Sequence, residues 1–600
     1  MSENGYQREA WRLDELFPSR DSAEVETALA TLDAEVKEFE RFRDQLGEGG
    51  TTDMGAEQFR SILEAYEELV QQVSRLRGYA YLSFAADTQD QQIQTFMARM
   101  QQLAAEVDNR TMFFSLWWKA LDEEPAARLL EAAGPFRYWL ESLRLQRPHT
   151  LSEPEERIIN LKNVNGVQAL NTLYDSLTSR YTFVLTIDGK EKRLNREELS
   201  VYYRDPDPDL RAAAFQELFR VYREDAPILG QIYQARVRDW RSEFVQLRHY
   251  DKPIAVRNLA NHIPPEIVDT LLDVCQENRD LFQRYFRLKA RWLEVDKLRR
   301  YDIYAPVATT EKTYEYAEAV ELVLDSYTQF EPEVGQLARR VFDEQHIDSE
   351  VRKGKRGGAF CSTITPDLTP WVLQTFQGRP ENVATMAHEL GHAVHSLLAS
   401  HHPLLAQHAS LPLAETASTF GEMLLVDRLL DEDPDPAVQH TLLFEQMDDA
   451  YATIMRQAYF ALFERSAHRQ IHEGASVEDV SDFYLQTLQE QFGEALSLSD
   501  EFRNEWVAIP HFYHAPFYVY AYAFGQLLVL SLYRQYRQEG ESFKPRYLEI
   551  LAAGGSDAPA RILERAGIKV GDPAFWQGGF DVLRDSLEQL EALPVPDAGA

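Results

Sequence analysis

A helix that is apolar on most sides yet carries His388-Glu389-Leu390-Gly391-His392 along its length has few ways to fold. The flanks, Glu381 to Ala387 and Ala393 to Ala399, contain no proline and place apolar side chains around most of the helix, as in a buried element. An ionised carboxylate and two imidazoles left unpaired in such an interior cost several kcal/mol, so something must pair them. Residues four apart are neighbours on a helix surface, so His388 and His392 can reach one tetrahedral ion. Glu389 then lies beside the water that such an ion activates and can take its proton. The competing reading is a satisfied cluster of core histidines. Gly391 is about 1 kcal/mol worse than alanine inside a helix, a cost that makes sense if another segment approaches the metal face closely.

A catalytic zinc keeps three protein ligands and one open position. The pattern that continues with a glycine and a third histidine is excluded, because those positions hold His395 and Leu398. The remaining route takes a glutamate from a second helix. Leu413 to Leu425 begins a helical pattern after the His402-Pro403 break, with Glu415 and Glu422 two turns apart on one face. Glu415, first into that helix, is the assigned ligand. Glu422 is assigned as a carboxylate holding one of the histidines, with a plain helix-surface role as the competing reading. His395, His401, His402 and His408 are read as bystanders, His395 being close enough to reach the rim.

Six hundred residues, 44% of them hydrophobic and 12% aromatic, suffice for a large core. A net charge of −35 opposes a nucleic-acid partner, which needs Lys and Arg to neutralise phosphates, and fits solubility or an attraction for cationic peptides. Two cysteines, Cys275 and Cys361, make no disulfide framework. The N-terminus lacks the apolar core of a signal peptide, and no long apolar run appears, so a cytoplasmic chain with no membrane partner is expected.

Helical periodicity dominates: Ser22 to Leu46, Ala56 to Phe84, Gln91 to Leu121, Pro154 to Leu177, Asp209 to Leu247, Pro264 to Val295 and Phe580 to Leu593. Tyr181 to Leu194 alternates as a hairpin around Asp188-Gly189. A second small strand region is expected between Arg300 and Phe376, at Tyr301 to Ala305 and Trp371 to Phe376. No repeat points to a solenoid. The expected division is an N-terminal helical lobe over 1–205, a catalytic domain over 206–593 and a frayed tail over 594–600.

The run His388 to His395 followed by Ala414-Glu-Thr-Ala-Ser resembles the zinc site of the thimet-oligopeptidase-like metallopeptidases, specifically the oligoendopeptidase F branch. Asp348 to Phe360 resembles that branch's glycine-rich loop, Trp371 to Gly378 its active-site edge strand, Ile509 to Ala523 its His/Tyr segment, and Trp11 to Phe17 its opening. The resemblance spans nearly the whole chain and departs from the usual pattern in a slightly longer His511 to Tyr522 stretch. It implies a mostly α, two-lobed helical metallopeptidase with a deep central channel, a small β region beside the zinc helix, one Zn2+ and short unfolded peptides as partners. A monomer is expected, although the sequence does not fix the oligomeric state.

Three further stretches bear on chemistry. Arg352 to Gly358 holds four cations and three glycines, a flexible positive loop that is either simply solvated or, as the resemblance implies, gates substrate through Gly357 and Gly358. Trp371 to Phe376 reads as an edge strand able to pair with a peptide backbone, with Gln374 and Thr375 at the contact. The ring-rich segment from His511 to Tyr522 packs a core on the bland reading. The resemblance implies an oxyanion donor there: Tyr522 and His511 by position, with Tyr513 and Tyr520 as substitutes because of the length difference. The expected reaction is metalloendopeptidase hydrolysis, with zinc on His388, His392 and Glu415 activating a water, Glu389 moving its proton to the leaving amine, and Tyr522 or His511 meeting the oxyanion. A catalytically inactive peptide-binding protein is the alternative, opposed by the intact Glu389. A zinc aminopeptidase is a third reading, opposed by the lack of a recognisable amine-capturing stretch before the helix.

Overall fold

A computed structural model of the chain describes residues 5–46, 52–307, 312–432 and 436–594. The fold is mostly α: helices occupy the periodic segments, and the strands described form three small sheets of two, two and three strands. Ala23–Glu40, Ala56–Ala86 and Gln91–Ala120 come first, with Ser22 and Asp90 accepting backbone N–H groups at the first and third N-termini. Two expected helices are broken. One splits at Gly166 into Glu153–Asn165 and Val167–Thr178; the other splits at Asn278, whose side chain bonds the Val274 carbonyl, into Pro265–Glu277 and Arg279–Trp292. The hairpin is Phe183–Ile187 with Lys190–Leu194, turned by Asp188 and Gly189 at φ 52° and 72°, as a type I′ turn requires. Tyr301 to Ala305 is not a strand: Arg300–Asp302 makes a single tight turn after Leu298–Arg299, which pairs in parallel with Leu496–Ser497. The last helix is Pro573–Ala592, and the tail expected over 594–600 lies, from 595 onward, outside the described residues. Among the described residues no helix is long and apolar enough to cross a membrane.

The chain divides into two compact units, each assembled from three stretches. The first comprises 1–147, 311–432 and 535–569. Its core stacks Phe59 on Trp118 and Phe114 on Trp139, and takes in Trp371 and Leu373 of the three-stranded sheet. The helices Tyr316–Phe330, Pro332–Asp343, Pro380–Leu398 and Ser418–Glu432 pack on one another in this unit. The second unit comprises 148–310, 433–534 and 570–600 and is built on the long helix Pro208–Trp240. Its interior holds charge by pairing it: Arg300 and Arg456 share one oxygen of Glu505 at 3.0 and 3.2 Å, and the Tyr484 hydroxyl donates to the other at 2.9 Å.

Glu464, buried in the second unit, accepts the Phe517 N–H at 3.0 and 3.2 Å on its two oxygens, bracing a phenylalanine held at φ 59°. Burial pushes its carboxyl up to about 8, further than that hydrogen bond and Arg257 pull it down. The folded chain therefore keeps a proton that the unfolded chain releases near pH 4.5. Stability from this group is complete below that pH and is lost as pH rises to about 8, by roughly 1.4 kcal/mol per pH unit. Glu464→Gln should flatten this slope in urea melts between pH 5 and 8; an unchanged slope would mean that Glu464 is ionised in the folded protein.

Candidate metal centre

The His388 helix, Pro380–Leu398, begins with proline in its first turn and buries Val383, Met386, Leu390, Val394 and Leu397. The same burial carries His388, Glu389 and His392 to one wall of a cavity of about 570 Å³, whose other wall is the strand Phe360–Ser362 and the following Thr363. His388 Nε2 stands 3.2 Å from His392 Nε2 and 3.3 Å from Glu415 Oε2, which lies 3.4 Å from His392 Nε2. These three atoms make a nearly equilateral triangle. Ligands about 2.0 to 2.1 Å from a tetrahedral zinc stand roughly 3.3 Å apart, so the triangle has the size of one face of that shell. The donor set fits the metal that the sequence implies.

Each donor is held from behind. Glu422 hydrogen-bonds His388 Nδ1, which turns the Nε2 lone pair toward the other two. Ser418 Oγ donates to Glu415 Oε2 at 2.7 Å. His395, buried and one turn beyond His392, lies beside the backbone of Ala414, the residue before Glu415. The electrostatics ask for a cation. Burial would lower the His388 pKa, but the Glu422 hydrogen bond and the surrounding carboxylates lift it to about 9. Burial would raise that of Glu415, but His392, His388 and Ser418 bring it down to about 2. The pKa of Glu389, 6% exposed, is pushed upward, chiefly by burial.

Glu415 and Glu422 do not share a helix. Leu411–Ala414 is a single turn, Glu415 to Ala417 form a bend, and the next helix is Ser418–Glu432. The break lies where the chain packs on Gly391, at which an added Cβ would lie 2.5 Å from Ser418 Cα and 2.6 Å from the Ala417 oxygen. This is the close approach that accounts for a glycine inside the helix. Gly391→Ala gains about 1 kcal/mol of helix propensity but drives a methyl into backbone, which typically costs about 1 to 3 kcal/mol and here also displaces Glu415. The expected result is a lower melting temperature together with lost zinc. A stable, fully loaded Gly391→Ala would contradict this account.

A family model described as Peptidase family M3 matches residues 201–582, and one described as Oligopeptidase F matches residues 117–183. The chain belongs to peptidase family M3. Oligopeptidase PepF of Bacillus subtilis (strain 168) is 25% identical over 597 residues, 98% of this M3 chain and 87% of the relative. The chromosomal oligoendopeptidase F of Lactococcus lactis subsp. cremoris is 26% identical over 570 residues, 93% and 94% of the two chains. The crystal structure of oligoendopeptidase-F from Enterococcus faecium superposes with a TM-score of 0.69 at 25% identity, covering 95% of this chain and 98% of that one.

Two expectations about the peptide-binding elements of this M3 peptidase are corrected. Trp371–Leu373 is the middle strand, parallel to Ile347–Asp348 and antiparallel to Phe360–Ser362, so it has no free edge. Gln374 accordingly is buried, its N–H donating to the Asp348 carbonyl at 2.9 Å, and Thr375 is half-buried. The edge strand is Phe360–Ser362, on the cavity wall; the alternation that favoured Trp371 to Phe376 says nothing about which side is paired. Nor is the cationic loop wholly flexible. Lys355 is 2% exposed and donates to the carbonyls of Asp348, Glu350 and Gln374, and Arg352 forks onto the Asp348 carboxylate. The Gly354 carbonyl accepts from Thr88, and the Arg356 N–H donates to Ala85. The tip is open, with Gly357 and Gly358 exposed and clear space where a Cβ would stand.

The ring-rich segment of the M3 chain lies in the second unit, as the short turn His511–His514 and the start of the helix Tyr520–Glu539. Tyr513 and Tyr520 are enclosed within that unit. Tyr513 is buried, stacked on Tyr174 with its hydroxyl toward the Leu229 and Val507 carbonyls, and the buried Tyr520 hydroxyl is bonded by Asn261. Tyr522 is 37% exposed, with its hydroxyl 3.3 Å from His511 Nε2. Sequence reasoning missed Ser418, the Phe360–Ser362 edge and the anchoring role of His395, which its place one turn past His392 on a buried face could have signalled.

Proposed function

We propose that this peptidase is a zinc-dependent endopeptidase of short unfolded oligopeptides, with the ion held by His388, His392 and Glu415. The triangle of donor atoms with 3.2 to 3.4 Å sides carries the reading, and the names of the relatives support the substrate class. Zinc bound there supplies Lewis acidity toward the scissile carbonyl and makes water a nucleophile near neutral pH. The chain's own groups do the rest. Glu389 takes the proton of the attacking water and returns it to the leaving amine. Glu422, Ser418 and His395 hold the ligands still. The free edge of Phe360–Ser362 takes the peptide backbone as an added strand, which makes recognition largely tolerant of side chains. Tyr522, with His511, donates a hydrogen bond to the oxyanion that forms on the substrate.

Hydrolysis of an internally quenched peptide blocked at both ends tests the reading. An endopeptidase cleaves it, whereas an aminopeptidase or an inactive peptide binder leaves it intact. Chelation should abolish cleavage and added zinc restore it; native globular proteins should be spared. Tyr522→Phe removes the proposed donor, and kcat should fall by about 10² to 10³ with KM little changed. Tyr513→Phe and Tyr520→Phe should act on stability instead. Equal kcat for Tyr522→Phe and the parent would remove the tyrosine from the mechanism.

A further inference from the structure

A second group of side chains in the first unit has the chemistry of a metal site and shares no residue with the first. His346 is fully buried at the end of Pro332–Asp343, its ring stacked on Trp371 at 4.0 Å. Its Nδ1 lies 2.8 Å from the Thr369 carbonyl, which can only accept, so Nδ1 carries the hydrogen. Nε2 of the neutral ring is then a bare lone pair. It is buried without a hydrogen-bond partner and faces two carboxylates: Glu15 Oε2 at 3.8 Å and Glu344, one donor atom from each of the three lying within 4.8 Å of the others. Arg340 already pairs with Glu344, its Nε donating to Oε1 at 3.1 Å, but the His346 Nε2 lone pair and the Glu15 carboxylate that faces it repel unless a proton or a further cation stands between them. Burial lowers the His346 pKa and disfavours the proton.

We propose that His346, Glu344 and Glu15 bind a first-row divalent cation, zinc foremost, as a structural site separate from the hydrolytic one. A backbone carbonyl behind the ring fixes the imidazole, as in protein metal sites generally, and one nitrogen with two carboxylate oxygens suits zinc or manganese. Glu15 is half-exposed on the N-terminal arm, so it can move closer to His346 and leaves room for water to complete the shell. The arm already lies against this place: the Arg12 N–H donates to Gln345 O at 2.9 Å, and Trp371 Nε1 donates to Arg12 O at 2.8 Å. A cation here ties the arm to Ile347–Asp348, the strand beside Trp371–Leu373.

The test is zinc stoichiometry of the full chain, stripped with chelator, dialysed against graded ZnCl2 and counted by mass spectrometry. Wild type should take two equivalents. Glu15→Gln and His346→Gln should each weaken one of them by at least about ten-fold and leave the other, and peptide hydrolysis, intact. His392→Ala should lose the opposite equivalent, so failure here and failure of the hydrolytic site give different patterns. A single equivalent in wild type would overturn the proposal. So would a second equivalent indifferent to both substitutions, which would be zinc scattered on an acidic surface. If His346→Gln does not fold, the half-exposed Glu15→Gln gives the answer alone.

Discussion

Glu389→Gln should bind zinc at the hydrolytic site as the parent chain does and hydrolyse peptides several orders of magnitude more slowly. The amide keeps the size and one acceptor oxygen of the acid but cannot take a proton, so the lost barrier stabilisation appears in kcat while KM stays near its parent value. The substitution also removes a group whose pKa burial raises, so the folded protein should lose no stability through it. Metal content and single-turnover rates on the same preparation separate the outcomes. If zinc leaves together with activity, Glu389 is a ligand and the assignment to proton transfer is wrong.

Glu415→Ala should fail in the other way. Removing one corner of the triangle leaves two imidazoles, too few to hold a catalytic zinc, and activity should fall below detection because the metal is gone. Excess zinc should restore only a small fraction. Glu422→Ala is the matched comparison: it frees His388 Nδ1 without removing a donor, and losses of about 10-fold to 100-fold in affinity are typical of such partners. A fully loaded Glu415→Ala beside an empty Glu422→Ala would exchange the two roles.

The candidate metal site was legible because much of its chemistry is contiguous. Two histidines and a base within five residues constrain one another through helix geometry alone, and one further carboxylate had to be found nearby. The bend at Glu415 to Ala417 was not legible, because it packs against Gly391 of another helix while the local pattern of Leu413 to Leu425 reads as unbroken helix. Three-residue strands such as Phe360–Ser362 are too short to show a period, and which of them ends the sheet is decided by pairing across sequence. Within the ring-rich segment, tyrosines are chemically alike on paper. Only burial distinguishes Tyr513 and Tyr520, committed to the core, from Tyr522 at the surface. The hairpin was read correctly because its signal, Asp188-Gly189 between alternating residues, is local.

The mooring of Lys355 bears on what the loop contributes when a peptide arrives. An ammonium enclosed by three carbonyls and a carboxylate surrenders its rotamers once, while the chain folds, and the same event fixes the backbone from Asp348 to Arg356. A peptide that met a fully mobile loop would have to order all of it, and each residue ordered on binding subtracts from affinity. Here the tip at Gly357 and Gly358 lies beyond these anchors. The loop is therefore closer to a hinged fingertip on a rigid hand than to a flap, and its motion should be fast and short in reach.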